Sequence, residues 1–211
     1  FTSDSDKSNL LLVILSSQKV VATVADDVTR KAFIAVIVSL VVMFVYIAIR
    51  FRRWQYGLSS IICLTHDTLL VIGMYSLFNN ILPFTMEVNQ SFIAAILTII
   101  GYSINNTVVI FDRVRENVNL FPKKGWKERF NSANNSTLLR TINTSGTTIV
   151  VLLAIFIFGG ETIRGFVFAL LVGMIAGTFS SLFIASPLAY ALFKGKQYDE
   201  ELEQVADKKR K

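Results

Sequence analysis

The chain has 211 residues, of which 53% are hydrophobic and 17% charged, with a net charge of +6 and a mean hydropathy of +0.54. This balance excludes a soluble domain of the same length. The basic residues flank long apolar runs instead of interleaving with aromatics on a polar face, so membrane orientation accounts for the charge and nucleic-acid binding does not.

Residues 1–31 precede the first apolar run. Within them 10–15 reads as a buried strand and 20–31 as a helix leading into the membrane, so the segment is expected to be the trailing part of an external α/β domain. Five apolar runs follow, at 32–49, 57–78, 91–111, 142–158 and 165–193. At about 1.5 Å per residue each approaches or exceeds the roughly 30 Å hydrocarbon thickness. Counted in this way the fourth is short and is expected to recruit the polar turn at Arg140 and Thr141. The fifth is long and is expected to tilt, bend near Pro187 or project beyond the membrane. The segment 112–139 reads as a cytoplasmic loop with a short interfacial helix around Trp126 and Phe130, and 194–211 as a solvated cytoplasmic tail of mixed charge.

Five alternating spans place sixteen Lys and Arg on one side and five on the other. The positive-inside rule then puts the C-terminus in the cytoplasm and residue 1 outside. Residues 1–31 carry no basic, apolar, small-residue export signal, so an upstream segment is expected.

Polar residues within the spans are the candidate site. Asp67 lies ten residues from Gly57, about 15 Å along the axis and close to the midplane. An acid there costs about 2.5–3.5 kcal/mol on insertion scales, so it is expected to face the bundle interior or a wet cavity. It reads as a group that binds and releases protons, or as a structural hydrogen-bond partner of His66 or a neighbouring helix. Ser103, Asn105, Asn106 and Thr107 form a polar cluster expected to point inward, either as interhelical glue or as the lining of a water or ion path whose neutral oxygens suit Na⁺ as well as a proton relay. Asp112, Arg113, Arg115 and Glu116 close the third run as a local ion-pair network or a partner contact. Arg140, Thr144, Thr147 and Thr148 share a helical face, a cation beside a hydroxyl ladder; alone, Arg140 reads as a positive-inside anchor. Gly173 and Gly177 form a small-xxx-small packing face. Cys63, the one cysteine, sits in an apolar run and forms no intrachain disulfide. With one His and one Cys, and no phosphate-cradling loop or nucleophile motif, the sequence offers no zinc site, ATPase or peptidase chemistry.

Four motifs, GYSINNTVVIFDRVREN (101–117), RTINTSGTT (140–148), FGGETIRGF (158–166) and GMIAGTFSS (173–181), together with His66 and Asp67, resemble the SecD/SecF family, on its SecF side, over about residues 20–194. The resemblance implies an all-α polytopic membrane protein of the RND superfamily. Its five helices would form half of a pseudo-symmetric bundle, with an extra first helix and external domain upstream and SecD as a partner or fused half. It implies a bacterial inner-membrane location and an accessory role in Sec-dependent export. The ion gradient would help move preproteins through the SecYEG channel, with YajC as a further partner and no cofactor or metal. It also assigns Arg140 to a proton relay. The chain departs from the family at Asn106, where an Asp of the implied proton path is usual, and at Val21 and Ala22, where a Gly-Pro turn is usual. Asn does not titrate, which leaves three explanations: a different coupling ion, a relay displaced to other acids, or a silenced pump. An RND-type solute exporter subunit and an uncoupled translocon scaffold are the alternative readings.

Overall fold

The computed structural model describes residues 30–78, 81–84, 86, 88–121 and 124–193, so residues 1–29 of the expected external segment, with the positions of Val21 and Ala22, and the tail from 194 lie outside the described residues. The described chain is all-α. α1 (Arg30–Phe51) is followed by α2 (Trp54–Phe78), α3 (Gln90–Leu120), α4 (Trp126–Phe158) and α5 (Glu161–Ser180). A π-helical turn (Ser181–Ala185) then leads into α6 (Ser186–Leu192), so that α5, the π turn and α6 make one continuous rod. Each of these five rods is long and apolar enough to cross a membrane.

α3 and α5 pack face to face at the centre, α2 lies against both on one side, and α4 lies against both on the other. α1 is peripheral. Its apolar side chains, Phe33 and Ile49 among them, face outward, while Ile47 and Phe51 are buried. Outward-facing Leu, Ile, Val and Phe on every rod would be a liability in water and are the expected surface in lipid, where apolar contact with acyl chains is neutral. The link from α1 to α2 is short because Arg52 adopts φ 54°, a left-handed turn that reverses the chain in two residues. α3 starts cleanly because the Asn89 side chain accepts a hydrogen bond from the Phe92 N–H at 3.1 Å.

The structure corrects the expected loop at 112–139. α3 continues nine residues past 111, and α4 starts at Trp126, so most of that segment extends two spanning helices. Trp126 and Phe130 do not form a separate surface helix. Trp126 stacks on Phe193 with centroids 5.2 Å apart, in a cluster where Tyr56 meets Phe51, Phe111 and Phe193. That cluster ties α1, α2, α3, α4 and the end of α6 together at one end of the bundle. Its aromatic burial explains why α4 continues inward where hydropathy alone ends the span.

The long fifth rod is irregular just before Pro187. Proline has no N–H for the carbonyl four residues back and its ring crowds that carbonyl. The π turn at Ser181–Ala185 immediately precedes it and widens the helix. The Leu182 carbonyl within this turn accepts a hydrogen bond from Asn134 Nδ2 of α4 at 3.3 Å.

Candidate functional site

Asp67 sits midway along α2, eleven residues before its end at Phe78, or about 16 Å from that end. Only 1% of it is exposed. It faces inward against α3 and α5, as expected of an acid in an apolar span. Ser103 of α3 donates a 2.6 Å hydrogen bond to Asp67 Oδ2, and His66 Nδ1 lies 3.2 Å from Oδ1. The His66 side chain is 42% exposed on the outer face of α2. Thr107 returns its hydroxyl to the Ser103 carbonyl at 3.0 Å, as Ser60 and Thr68 do to carbonyls of α2, so these hydroxyls are spent within their own helices. Ser103 is the exception, because its hydroxyl crosses to another helix.

α5 closes over this pair at Gly177. A Cβ built there would lie 3.0 Å from Ser103 Cβ, 3.1 Å from Ser103 Oγ and 3.5 Å from Asp67 Oδ2. One turn earlier, a Cβ on Gly173 would overlap the Ile99 side chain. The small-xxx-small face is thus the seat of α3 on α5, and it seals the Asp67–Ser103 contact. A carboxylate has room for about four hydrogen bonds. Among the described residues, Asp67 meets one hydroxyl and one imidazole, which leaves part of its acceptor capacity unused.

A second polar place lies between α3 and α4. Asn105, Asn106, Val109, Arg140, Thr141 and Thr144 line a cavity of about 40 Å³. Asn106 is 4% exposed, and its Nδ2 is buried without a hydrogen-bond partner. Asn106 follows Ser103 by three residues, so α3 presents one polar side chain toward α2 and α5 and the next toward α4. Asn105 does not share that inward face. Two residues from Ser103, it is turned about 200° around the helix and is exposed.

Arg140 is exposed and lines the cavity, and among the described residues no carboxylate pairs with it. The structure brings Asn106 and Arg140 to one place, whereas Asp67 and Arg140, the pair from which ion coupling was expected, line separate places. The hydroxyl ladder on α4 exists, but its protons are committed: Thr144 donates to the Arg140 carbonyl at 2.9 Å, and Thr147 and Thr148 donate to the Thr144 carbonyl. Arg140, Asn143, Thr144 and Thr147 nevertheless form an exposed polar stripe on the outer side of α4, beside Asn105.

The network expected at Asp112, Arg113, Arg115 and Glu116 is only partly local. Arg113 meets Glu116 at 2.6 Å and Ser136 of α4 at 3.1 Å, while Asp112 reaches Arg50 of α1 at 3.6 Å. All of these are exposed, and exposed pairs add little stability.

Sequence reasoning missed a hydroxyl cluster that joins three helices. Tyr102 of α3 donates to Ser145 Oγ of α4 at 3.0 Å, and Ser145 lies 2.8 Å from Thr178 Oγ1 of α5. Thr178 Oγ1 is the donor within reach of both Ser145 Oγ and, at 2.7 Å, the Met174 carbonyl, so its one proton is shared between a neighbouring helix and its own backbone. A serine within the fourth apolar run was the available signal. Ser145→Ala is expected to lower stability by about 0.6 kcal/mol, with about 1.7 kcal/mol as the upper end. Reversible unfolding in mixed micelles checks this, with Tyr102→Phe in the same background giving little further loss.

A family model for the protein export membrane protein SecD/SecF, C-terminal, matches residues 4–195. The protein translocase subunit SecF of Rhodothermus marinus is 51% identical over 168 residues, covering 80% of this chain and 54% of that protein. The protein translocase subunit SecDF of Thermus thermophilus is 40% identical, covering 87% of this chain and 24% of that protein. A crystal structure of SecDF in a super-membrane-facing form superposes with a TM-score of 0.73 at 39% identity, over 84% of this chain and 23% of that one. The chain therefore spans about half the length of the SecF relative and about a quarter of the SecDF proteins.

Proposed function

Because the chain belongs to the SecD/SecF family of protein export membrane proteins, we propose that it is the membrane half of a SecF-type subunit that uses a transmembrane ion gradient to promote preprotein export. The observation that carries this reading is the buried Asp67, held by Ser103 across the α2–α3 seam under Gly177. An acid buried in an apolar bundle is costly, and its default role is handling charge. In this reading Asp67 takes up and releases a proton, and Ser103 and His66 orient the carboxyl. Asn105, Asn106, Arg140, Thr144 and Thr148 line the neighbouring route through which water, a proton or Na⁺ is passed.

The partner is a SecD half, on the same polypeptide or a separate one. The polar stripe of Arg140, Asn143, Thr144 and Thr147 supports this, because polar side chains uncovered within a membrane rod call for a protein or a wet cavity and not acyl chains. Names that join SecD and SecF among the relatives support it as well. The SecD half also supplies an acid that Asn106 cannot. SecYEG, YajC and the translocating preprotein are the further partners. The subunit lies in the bacterial inner membrane with residue 1 outside and the C-terminus in the cytoplasm, and it carries out no bond chemistry on its substrate.

The test is preprotein export into inverted vesicles that contain the protein and its SecD half, with the gradient intact and collapsed by an ionophore. Export is expected to be stimulated only with the gradient intact. Equal stimulation in both conditions would leave a scaffold and remove the coupling.

A further inference from the structure

We infer that the turn between α1 and α2, together with the adjoining face of α3, is a binding site for the phosphate of an anionic phospholipid. The apolar run of α1 ends at Ile49 and that of α2 begins at Gly57, so the connecting turn carries Arg50, Arg52 and Arg53. Arg52 and Arg53 are exposed, and the left-handed conformation of Arg52 holds them on a tight reversal instead of a loose loop. Arg115 joins them from α3. It follows Phe111 by four residues and so lies on the same face, one turn further out. Phe111 packs against Phe51 and Tyr56, the residues on either side of the turn. The charges of Arg53 and Arg115 both act on the Tyr56 hydroxyl, so the two guanidiniums share one neighbourhood although they come from different helices.

What this place lacks is a carboxylate. The cations around it have one each: Arg50 pairs with Asp112, Arg113 with Glu116 and Lys124 with Glu128. Among the described residues none pairs with Arg52, Arg53 or Arg115, although like charges brought together repel. Orientation by the positive-inside rule needs only the number of cations on a side; it does not require that three be gathered and left unpaired. α2 starts at Trp54 with no acidic residue in its first turn, so the N–H groups of that turn and the positive end of the helix add to the demand for an anion. The depth selects a lipid. Arg53 lies four residues before Gly57 and Arg115 four after Phe111, each about 6 Å beyond its apolar run, and the headgroup layer occupies roughly 5–8 Å outside the hydrocarbon. Trp54, exposed at this level, is a residue type that settles at that interface. A phosphodiester there accepts from the guanidinium forks, while its acyl chains lie along the outward face of α1 at Tyr46 and Ile49. Free phosphate has the same acceptor chemistry without the chains, and the experiment separates the two sources.

This inference goes beyond the export reading and does not need it, because it concerns binding to the purified protein and not transport; the proposed orientation only names the leaflet, which is the cytoplasmic one. The protein, purified in detergent with any partner half that accompanies it, is melted with added dioleoylphosphatidylglycerol, dioleoylphosphatidylcholine or inorganic phosphate at equal ionic strength. Phosphatidylglycerol is expected to raise Tm saturably by about 2–4 °C relative to phosphatidylcholine, and inorganic phosphate is expected to leave it unchanged. The double variant Arg53→Gln with Arg115→Gln should lose that rise. Arg113→Gln with Lys124→Gln, which removes the same charge from ion-paired positions, should keep it. All four side chains are exposed, so both variants are expected to fold; Arg115→Gln alone, with the rise about halved, carries the test if the double variant does not. A wild-type Tm indifferent to phosphatidylglycerol would overturn the inference and point to a carboxylate of another polypeptide. A rise that survives Arg53→Gln with Arg115→Gln would overturn it by locating the lipid elsewhere. A rise lost equally in both double variants would overturn it in favour of diffuse attraction to total charge, and an equal rise with inorganic phosphate would overturn the lipid as the source.

Discussion

Gly173→Ala is expected to destabilise the bundle by about 1–3 kcal/mol, the usual range for overpacking a core, which lowers Tm by about 2–4 °C for each kcal/mol in a chain of this size. The added Cβ would overlap Ile99, a buried β-branched residue on α3, and the clash reaches the Cγ1, Cδ1 and Cγ2 atoms together. Rotation about one side-chain torsion cannot clear all three, because a β-branched residue has little freedom at χ1. The helices must therefore separate. α3 and α5 are the two central helices, so their separation loosens the contacts of α2 and α4 as well. Thermal unfolding in detergent measures the loss. The diagnostic variant is the double substitution Gly173→Ala with Ile99→Ala. Ile99→Ala alone leaves a void and is itself costly, about 2–5 kcal/mol. The added methyl then occupies part of that void, so the double variant should be more stable than the sum of the two single losses. Additive losses would mean that Gly173 is not seated on Ile99.

The five spans were legible because hydrocarbon thickness sets the length of an apolar run, and any helix crossing it must meet that length. The ends of the helices were not. Backbone hydrogen bonding continues after the side chains turn polar, so α3 runs on to Leu120 and α4 begins at Trp126, both far into what hydropathy marks as a loop. Their continuation depends on Tyr56, Trp126, Phe130 and Phe193 meeting across helices, a contact between residues too far apart in sequence for periodicity to reveal. The site divides in the same way. The cost of an acid in lipid was enough to turn Asp67 inward, and the i, i+3 spacing was enough to put Ser103 and Asn106 on buried positions of α3. That Ser103 faces α2 while Asn106 faces α4 depends on where the helices sit around α3, which spacing does not encode. Asn105 was expected inward with its neighbours and is exposed, since positions 103, 105, 106 and 107 cannot all share one face of a helix. Ser145 was overlooked for a related reason. A small hydroxyl in a membrane helix can always bond its own backbone, and only the fold determines that Tyr102 and Thr178 reach it instead.

Asp67→Asn should reduce gradient-driven preprotein export to the level seen with the gradient collapsed, while leaving the fold intact. The substitution is nearly isosteric, so it opens no void beneath Gly177. The amide oxygen can still accept the Ser103 hydrogen bond, and the amide nitrogen, placed on the side of His66, can donate to an imidazole nitrogen in the acceptor tautomer. Tm is therefore expected to change by less than about 1 kcal/mol equivalent, the scale of one interhelical hydrogen bond in a membrane. What Asn lacks is a proton it can release, so any loss of export reports titration and not packing. Ser103→Ala supplies the complementary case. It keeps the acid and removes the donor that orients it, and export should be reduced but still depend on the gradient instead of vanishing. Asp67→Ala would be a poor substitute for either variant, because it strands the fully buried Ser103 hydroxyl and leaves a void at the α2–α3–α5 seam, mixing instability with lost coupling. Export by Asp67→Asn that matches wild type under both proton and sodium gradients would remove Asp67 from the coupling path, and the Asp67–Ser103 bond would then be a structural tie between α2 and α3.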